Sequence, residues 1–192
     1  MSQPKSYTIS IFTENVPGLL HRITTVFTRR KINLDSFTAS ESEVAGVYRF
    51  TIVVKMPYEE VYKVVKQLDK VIGVFNAFLH DEEGVVHQEV ALYKLATQSL
   101  INGKLEEIIR QYNARILTVE PDYLVIEKTG KHEEIQELLK RLETYGVLEF
   151  ARSGLVSVMK RDYSLDKYIE EATAGAMDSK PLAVDRTGNV VE

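Results

Sequence analysis

The sequence predicts an α+β chain of two ferredoxin-like domains, each a βαββαβ unit with an antiparallel sheet and its helices on one face. Three observations predict it. Alternating strand-like segments and amphipathic helical segments follow one another in the order β-α-β-β-α-β. That order occurs twice, on either side of the polar hinge Asp81-Glu82-Glu83-Gly84. Charge divides the chain at the same places: residues 1–83 carry ten basic and ten acidic side chains, residues 84–160 ten and eleven, and residues 161–192 four and seven. The expected domains are therefore 1–83 and 84–160, followed by an acidic tail, 161–192.

The first block opens on Tyr7-Thr8-Ile9-Ser10-Ile11-Phe12, a strand with period 2. Asn15-Val16-Pro17-Gly18 ends it. Leu19, Leu20, Ile23, Val26 and Phe27 then recur at spacings of three and four, an amphipathic helix of about three turns. Extended character returns from Ile32 to Ala39, with Asn33 opening the strand, and Val44-Ala45-Gly46 supplies a hairpin turn. Val47 to Val54 is rich in β-branched and aromatic residues and reads as a strand. Val61, Val64, Val65 and Leu68 make a second helix after Pro57, and Gly73 to Leu79 closes the block.

The second block repeats the order: strand Val85–Leu95, a helix on Leu105, Ile108, Ile109 and Tyr112, and strands Ala114–Val119 and Tyr123–Glu127 around Glu120-Pro121-Asp122. A helix on Ile135, Leu138, Leu139 and Leu142 follows, then one strand from Val147 to Met159, bulged at Gly154. The tail holds one short helical candidate, Leu165 to Ala172. Domains of this size have small cores, and a sheet covered on one face leaves apolar side chains on the other, so the chain is expected to pair as a homodimer.

Composition excludes several classes of function. No apolar run approaches the ~20 residues of a membrane-spanning helix, and no signal-type segment follows Met1. Cys is absent, which removes disulfides, thiolate metal sites and a cysteine nucleophile and suits a reducing cytoplasm. The net charge of −4 argues against a nucleic-acid coat. No G-x-S-x-G, G-x-x-x-x-G-K or H-E-x-x-H motif is present. His80, His87 and His132 lack the spacing that sets two ligands on one helix face, so no metal site is expected. Nothing names a nucleophile or a general base, although an enzyme stays open because this fold class hosts several.

The turn Asn15-Val16-Pro17-Gly18-Leu19-Leu20 is richer. Pro17 presets a helical φ, Gly18 lets a ligand approach the backbone, and the first-turn N–H groups with the helix dipole form a seat for a carboxylate. Asn15 can accept from an ammonium or donate to a carboxylate. If two chains pair edge to edge, Asn33 of one faces Gly18 of the other. The same residues also suit a plainer role: Asn15 as a helix cap, Pro17 and Gly18 shaping the turn, Asn33 as a helix stop. A separate possibility is a single-stranded RNA platform built on Tyr7 and Tyr48-Arg49-Phe50, against which the block's electrical neutrality counts.

The stretch Thr13-Glu14-Asn15-Val16-Pro17-Gly18-Leu19-Leu20-His21-Arg22-Ile23, with Phe27-Thr28-Arg29-Arg30-Lys31-Ile32-Asn33-Leu34-Asp35-Ser36, resembles the ACT domain of acetolactate synthase small regulatory subunits. Gln88 to Lys94 and Phe150-Ala151-Arg152-Ser153-Gly154-Leu155-Val156 resemble the ends of that family's C-terminal domain. The resemblance implies a non-catalytic chain with no cofactor of its own. Its partner would be the catalytic large subunit, which holds thiamine diphosphate, Mg and FAD and condenses pyruvate with pyruvate or 2-oxobutyrate. The small subunit would raise that activity and confer feedback inhibition, usually by valine, at a site between the ACT domains of a homodimer. Asn15 and Gly18 match the family's carboxylate-binding turn and Asn33 the polar residue lent across the interface. Val16, Pro17, Leu19, Leu20 and Leu34 surround them. His21 departs from the small hydroxyl residue often found there, which leaves open the choice among valine, leucine and isoleucine. An ACT regulator of a different enzyme would share the same pocket.

Overall fold

The computed structural model describes residues 4–100, 104–160, 183–184 and 190–191. The chain forms two compact units: residues 1–86 with the segment from Ser157 onward, and His87–Val156. Composition placed the divisions at 83/84 and 160/161, whereas Ser157 to Lys160 group with the first unit. The helical candidate Leu165–Ala172 lies outside the described residues.

In the first unit, strands β1 (Lys5–Glu14), β2 (Ser36–Glu41), β3 (Val47–Met56) and β4 (Val74–His80) form an antiparallel sheet in the order β2-β3-β1-β4. Helices α1 (Leu19–Arg29) and α2 (Tyr58–Leu68) pack on one face. The period-2 alternation of β1 and β3 turns Tyr7, Ile9, Ile11, Phe50, Ile52 and Val54 toward the helices. Leu19, Ile23 and Phe27 from α1 and Val61, Val64, Val65 and Leu68 from α2 complete the core. Tyr7 and Phe50 are thus core residues and Tyr48 packs against them, so the RNA platform imagined from these aromatics does not stand on an open surface.

The other face of this sheet is covered rather than open. It bears the expected apolar side chains Phe12, Val47, Val53 and Phe78, but it is mixed, since Thr8, Ser10, Thr51 and Asn76 lie among them, and all eight are buried. Phe12, Val47 and Phe78 form a small cluster joined by Met159.

The second unit repeats the plan. Strands β5 (Val85–Ala96), β6 (Arg115–Val119), β7 (Tyr123–Gly130) and β8 (Val147–Arg152) give the order β6-β7-β5-β8, and β9 (Val156–Met159) also pairs with β5. Helices α3 (Lys104–Gln111) and α4 (His132–Glu143) bring Leu105, Ile109, Ile135, Leu138 and Leu142 onto Ala91, Tyr93, Leu95, Leu124 and Ile126. Buried Tyr93 donates its hydroxyl to the Ile135 carbonyl at 2.9 Å, fastening sheet to helix. Two short strands, β10 (Ala183–Val184) and β11 (Val190–Val191), pair antiparallel.

Two boundaries correct the sequence reading. Asn33 does not begin a strand, because β2 starts at Ser36. After α1, Lys31 takes φ 55, and the Lys31 and Ile32 N–H groups return to the carbonyls of Thr28 and Phe27 at 3.0 and 3.1 Å. This Schellman closure holds the chain off the sheet for several residues. The long strand expected over Val147–Met159 is broken between Arg152 and Val156, where Gly154 adopts φ 78.

Candidate functional site

The β1–α1 turn is built by its glycine. Gly18 is the N-cap of α1 at φ 83, a left-handed conformation that a side chain disfavours, and no side chain caps the helix. Asn15 is therefore not the cap. Its side chain is exposed and makes no hydrogen bond among the described residues, while its N–H holds the Gly46 carbonyl at 3.2 Å. A Cβ at Gly18 would meet nothing within 4 Å, so the space over the turn is open. The Leu19 N–H makes a long contact of 3.4 Å to Val16, and the amides of Leu20 and His21 belong to the first turn, where no carbonyl lies one turn back.

Electrostatics sets this helix apart. Helices α2, α3 and α4 each carry two glutamates in the first turn: Glu59 and Glu60, Glu106 and Glu107, Glu133 and Glu134. Helix α1 has no acid there. The chain leaves the positive end of this one dipole without an anion of its own, which is the condition for receiving one from outside.

The structure groups some of the expected residues and separates others. Asn15, Val16, Pro17, Gly18 and Leu20 share the exposed turn, with Val16 39 % and Leu20 47 % exposed. Leu19 is turned into the core and lies beneath Gly73, so it positions the helix and offers its side chain to no ligand. Asn33 and Leu34 are at the opposite end of α1. The eleven residues of α1, about 16 Å of helix, lie between Gly18 and that end. Asn33 is exposed and Leu34 rests against the core beside β2, an edge strand of the sheet.

Sequence reasoning passed over a neighbouring groove of about 680 Å³ between α1 and α2. His21, Arg22, Thr25, Arg29, Arg30 and Lys70 are among its lining residues. Its signal was the spacing of Arg22, Thr25 and Arg29, which share one helix face. Arg22 is tied to the Ile72 carbonyl at 2.9 Å and Arg30 to Gln67 at 2.8 Å.

In the second unit the segment Ala151-Arg152-Ser153-Gly154 is structural. Ser153 Oγ accepts the Val90 N–H at 3.0 Å and the Ser153 N–H reaches the Val90 carbonyl at 2.9 Å. Arg152 and His132 meet at buried Glu89, each 3.4 Å from its carboxylate, and Arg152 also contacts His132. The segment corresponding to the Gly18 turn, Ser99 to Lys104, includes residues 101–103, which lie outside the described residues. Among the described residues no group of three or more His, Cys, Asp or Glu could hold a metal ion, and no helix is long and apolar enough to cross a membrane.

Comparison with known proteins agrees with this architecture. Residues 9–76 match the model of the ACT domain of acetohydroxyacid synthase small subunits, and residues 88–161 match the model of the small subunit of acetolactate synthase. The chain is 34 % identical over 155 residues to the acetolactate synthase small subunit of Mycolicibacterium smegmatis, covering 81 % of this chain and 91 % of that one. It is 35 % identical over 147 residues to the Bacillus subtilis small subunit, covering 76 % and 86 %. The crystal structure of the small subunit from Thermotoga maritima superposes with a TM-score of 0.75 at 26 % identity, over 83 % of this chain and 99 % of that one. With both halves matched in order and the fold shared, the chain belongs to the family of acetolactate synthase small subunits.

Proposed function

We propose that this chain is the regulatory subunit of an acetolactate synthase. It carries no catalytic machinery, raises the activity of the large subunit that holds thiamine diphosphate, Mg and FAD, and transmits feedback inhibition by a branched-chain amino acid, valine first. One observation carries the effector site: among the described residues α1 alone of the four α-helices lacks a first-turn acid, and its Gly18 turn is open. In this reading the effector carboxylate rests on the amides of Leu20 and His21. The Asn15 carboxamide serves its polar end, and Val16, Pro17 and Leu20 flank its aliphatic side chain. Asn33 and Leu34 come from a second copy paired along the outer edge of β2. The ligand biases how two chains pair, and a coupling of about 1–3 kcal/mol is enough to alter the large subunit's activity. Contact with that subunit falls to the second unit, where Ile116, Leu117 and Val119 on β6 are exposed.

The test is calorimetric titration with L-valine, L-leucine, L-isoleucine and a polar amino acid, on the parent chain and two variants. Gly18→Asp and Gly18→Asn carry the same backbone strain and differ in charge. Saturable valine binding, weakened in Gly18→Asn and abolished in Gly18→Asp, is expected. Equal loss in both would assign the effect to the turn's conformation, and unchanged binding in both would remove the site. Purification of the tagged chain from its source cell should bring down a thiamine-dependent catalytic chain. Recovery of a different enzyme would favour the alternative, an ACT regulator serving that enzyme.

A further inference from the structure

The helix-free face of the first sheet holds buried donors without acceptors. The pairing register sets Phe12 beside Arg49 on β3 and beside Asn76 on β4. Ser10, two residues earlier on β1, shares that face. Ser10 is 0 % and Asn76 4 % exposed. The Oγ of Ser10, the Nδ2 of Asn76 and both Nε and Nη2 of Arg49 are buried without a hydrogen-bond partner. Asn76 already accepts the Ala77 N–H on its Oδ1 at 2.8 Å, which leaves its amide nitrogen to donate. The Arg49 guanidinium lies 5.4 Å from the centre of the Phe12 ring, a contact that attracts the cation but offers no acceptor. Exposed Glu43 is the acid whose field reaches Arg49, yet it bonds none of these donors, and burial lowers the Arg49 pKa.

Nε and Nη2 form one edge of the guanidinium, the fork that takes both oxygens of a single carboxylate. Arg49 is half-buried, yet the inner edge of its guanidinium is out of reach of water, and leaving those two donors without an acceptor is costly. The described residues place no carboxylate at it. Met159 packs against Phe12, Val47 and Phe78, so the chain reaches this face at the end of β9. Beyond Lys160 it continues with seven acidic and four basic side chains. Asp162, three residues past Met159, is within about 10 Å of it along an extended chain.

We propose that the face formed by Ser10, Arg49 and Asn76 is a carboxylate-binding site filled by an acidic side chain of the segment 161–192. The segment is thereby docked on the first sheet opposite the helices, and Asp162 is the first acid in reach. This stands apart from the effector site and holds or falls without it.

Hydrogen exchange of the full-length chain tests the proposal. In the parent, amides after Lys160 should exchange at least about tenfold more slowly than in a free peptide of the same sequence. Arg49→Met should abolish that protection and Arg49→Lys should reduce it, since an ammonium keeps the charge but loses the fork. One of the seven acids changed singly to its amide should match Arg49→Met, and combining the two should add nothing further. These acid variants leave the sheet untouched and keep the test valid if Arg49→Met unfolds. Free-peptide exchange in the parent, or full protection in all seven acid variants, would overturn the proposal. Dissociation of a dimer by Arg49→Met with the segment still protected would overturn it too, assigning the carboxylate to a second copy.

Discussion

Asp69, just past α2, shows how one side chain ties stability to pH. Its Oδ1 accepts the Ala77 N–H at 2.8 Å, while its Oδ2 is buried without a partner. Burial pushes its pKa above the usual carboxylate range, against smaller opposing effects of the Ala77 N–H and the Lys66 charge. In the window between the unfolded and the raised folded pKa, the native state binds more protons than the unfolded chain, so stability falls as pH rises through it. Asp69→Asn keeps an oxygen for Ala77 and cannot ionise. Urea unfolding across the acidic range should show that decline in the parent and not in the variant, and parallel curves would exclude Asp69 as its source. Lys31 shows the limit of reading residues singly. A glycine or asparagine would announce its left-handed turn, and Asn113 does so at φ 50 after α3, whereas a lysine at φ 55 gives no local sign.

At the scale of elements, β2 has its β3 side paired, and no other strand of the described residues pairs with its outer edge. The Ser42 N–H reaches Val47 at 2.8 Å, and residue pairs 40/49 and 38/51 keep the same parity, so the Ala39 N–H faces away from β3. Ala39→Pro should leave the circular dichroism of the chain unchanged and remove self-association through this edge, shifting sedimentation from dimer to monomer. A variant that still sediments as the parent does would place the pairing elsewhere. The element order was readable because apolar periodicity reports which side of each segment is buried, as in Leu19, Ile23 and Phe27. Residues 32–35 and 153–155 were misread because extended backbone looks the same to periodicity whether or not a neighbouring strand pairs with it. The Asn15–Gly18 turn was readable because its chemistry is local. The empty fork of Arg49 was not, since it depends on which residues three strands bring side by side.

At the scale of the whole molecule, the two units have separate cores. Leu138, fully buried in the second, should cost about 2–5 kcal/mol when changed to Ala. Valine affinity, which the proposed effector site assigns to the first unit, should stay within about twofold by calorimetry at a temperature where both units remain folded. A coupled loss would mean that the effector site depends on the second core. The length of α1, which keeps Gly18 and Asn33 at opposite ends of one helix, has a consequence of its own. If the proposed seat is split between two chains, mass action makes ligand affinity rise with the amount of protein present. A scarce subunit would be nearly deaf to its amino acid and an abundant one acute, so the sensor would gauge its own supply as well as the metabolite's.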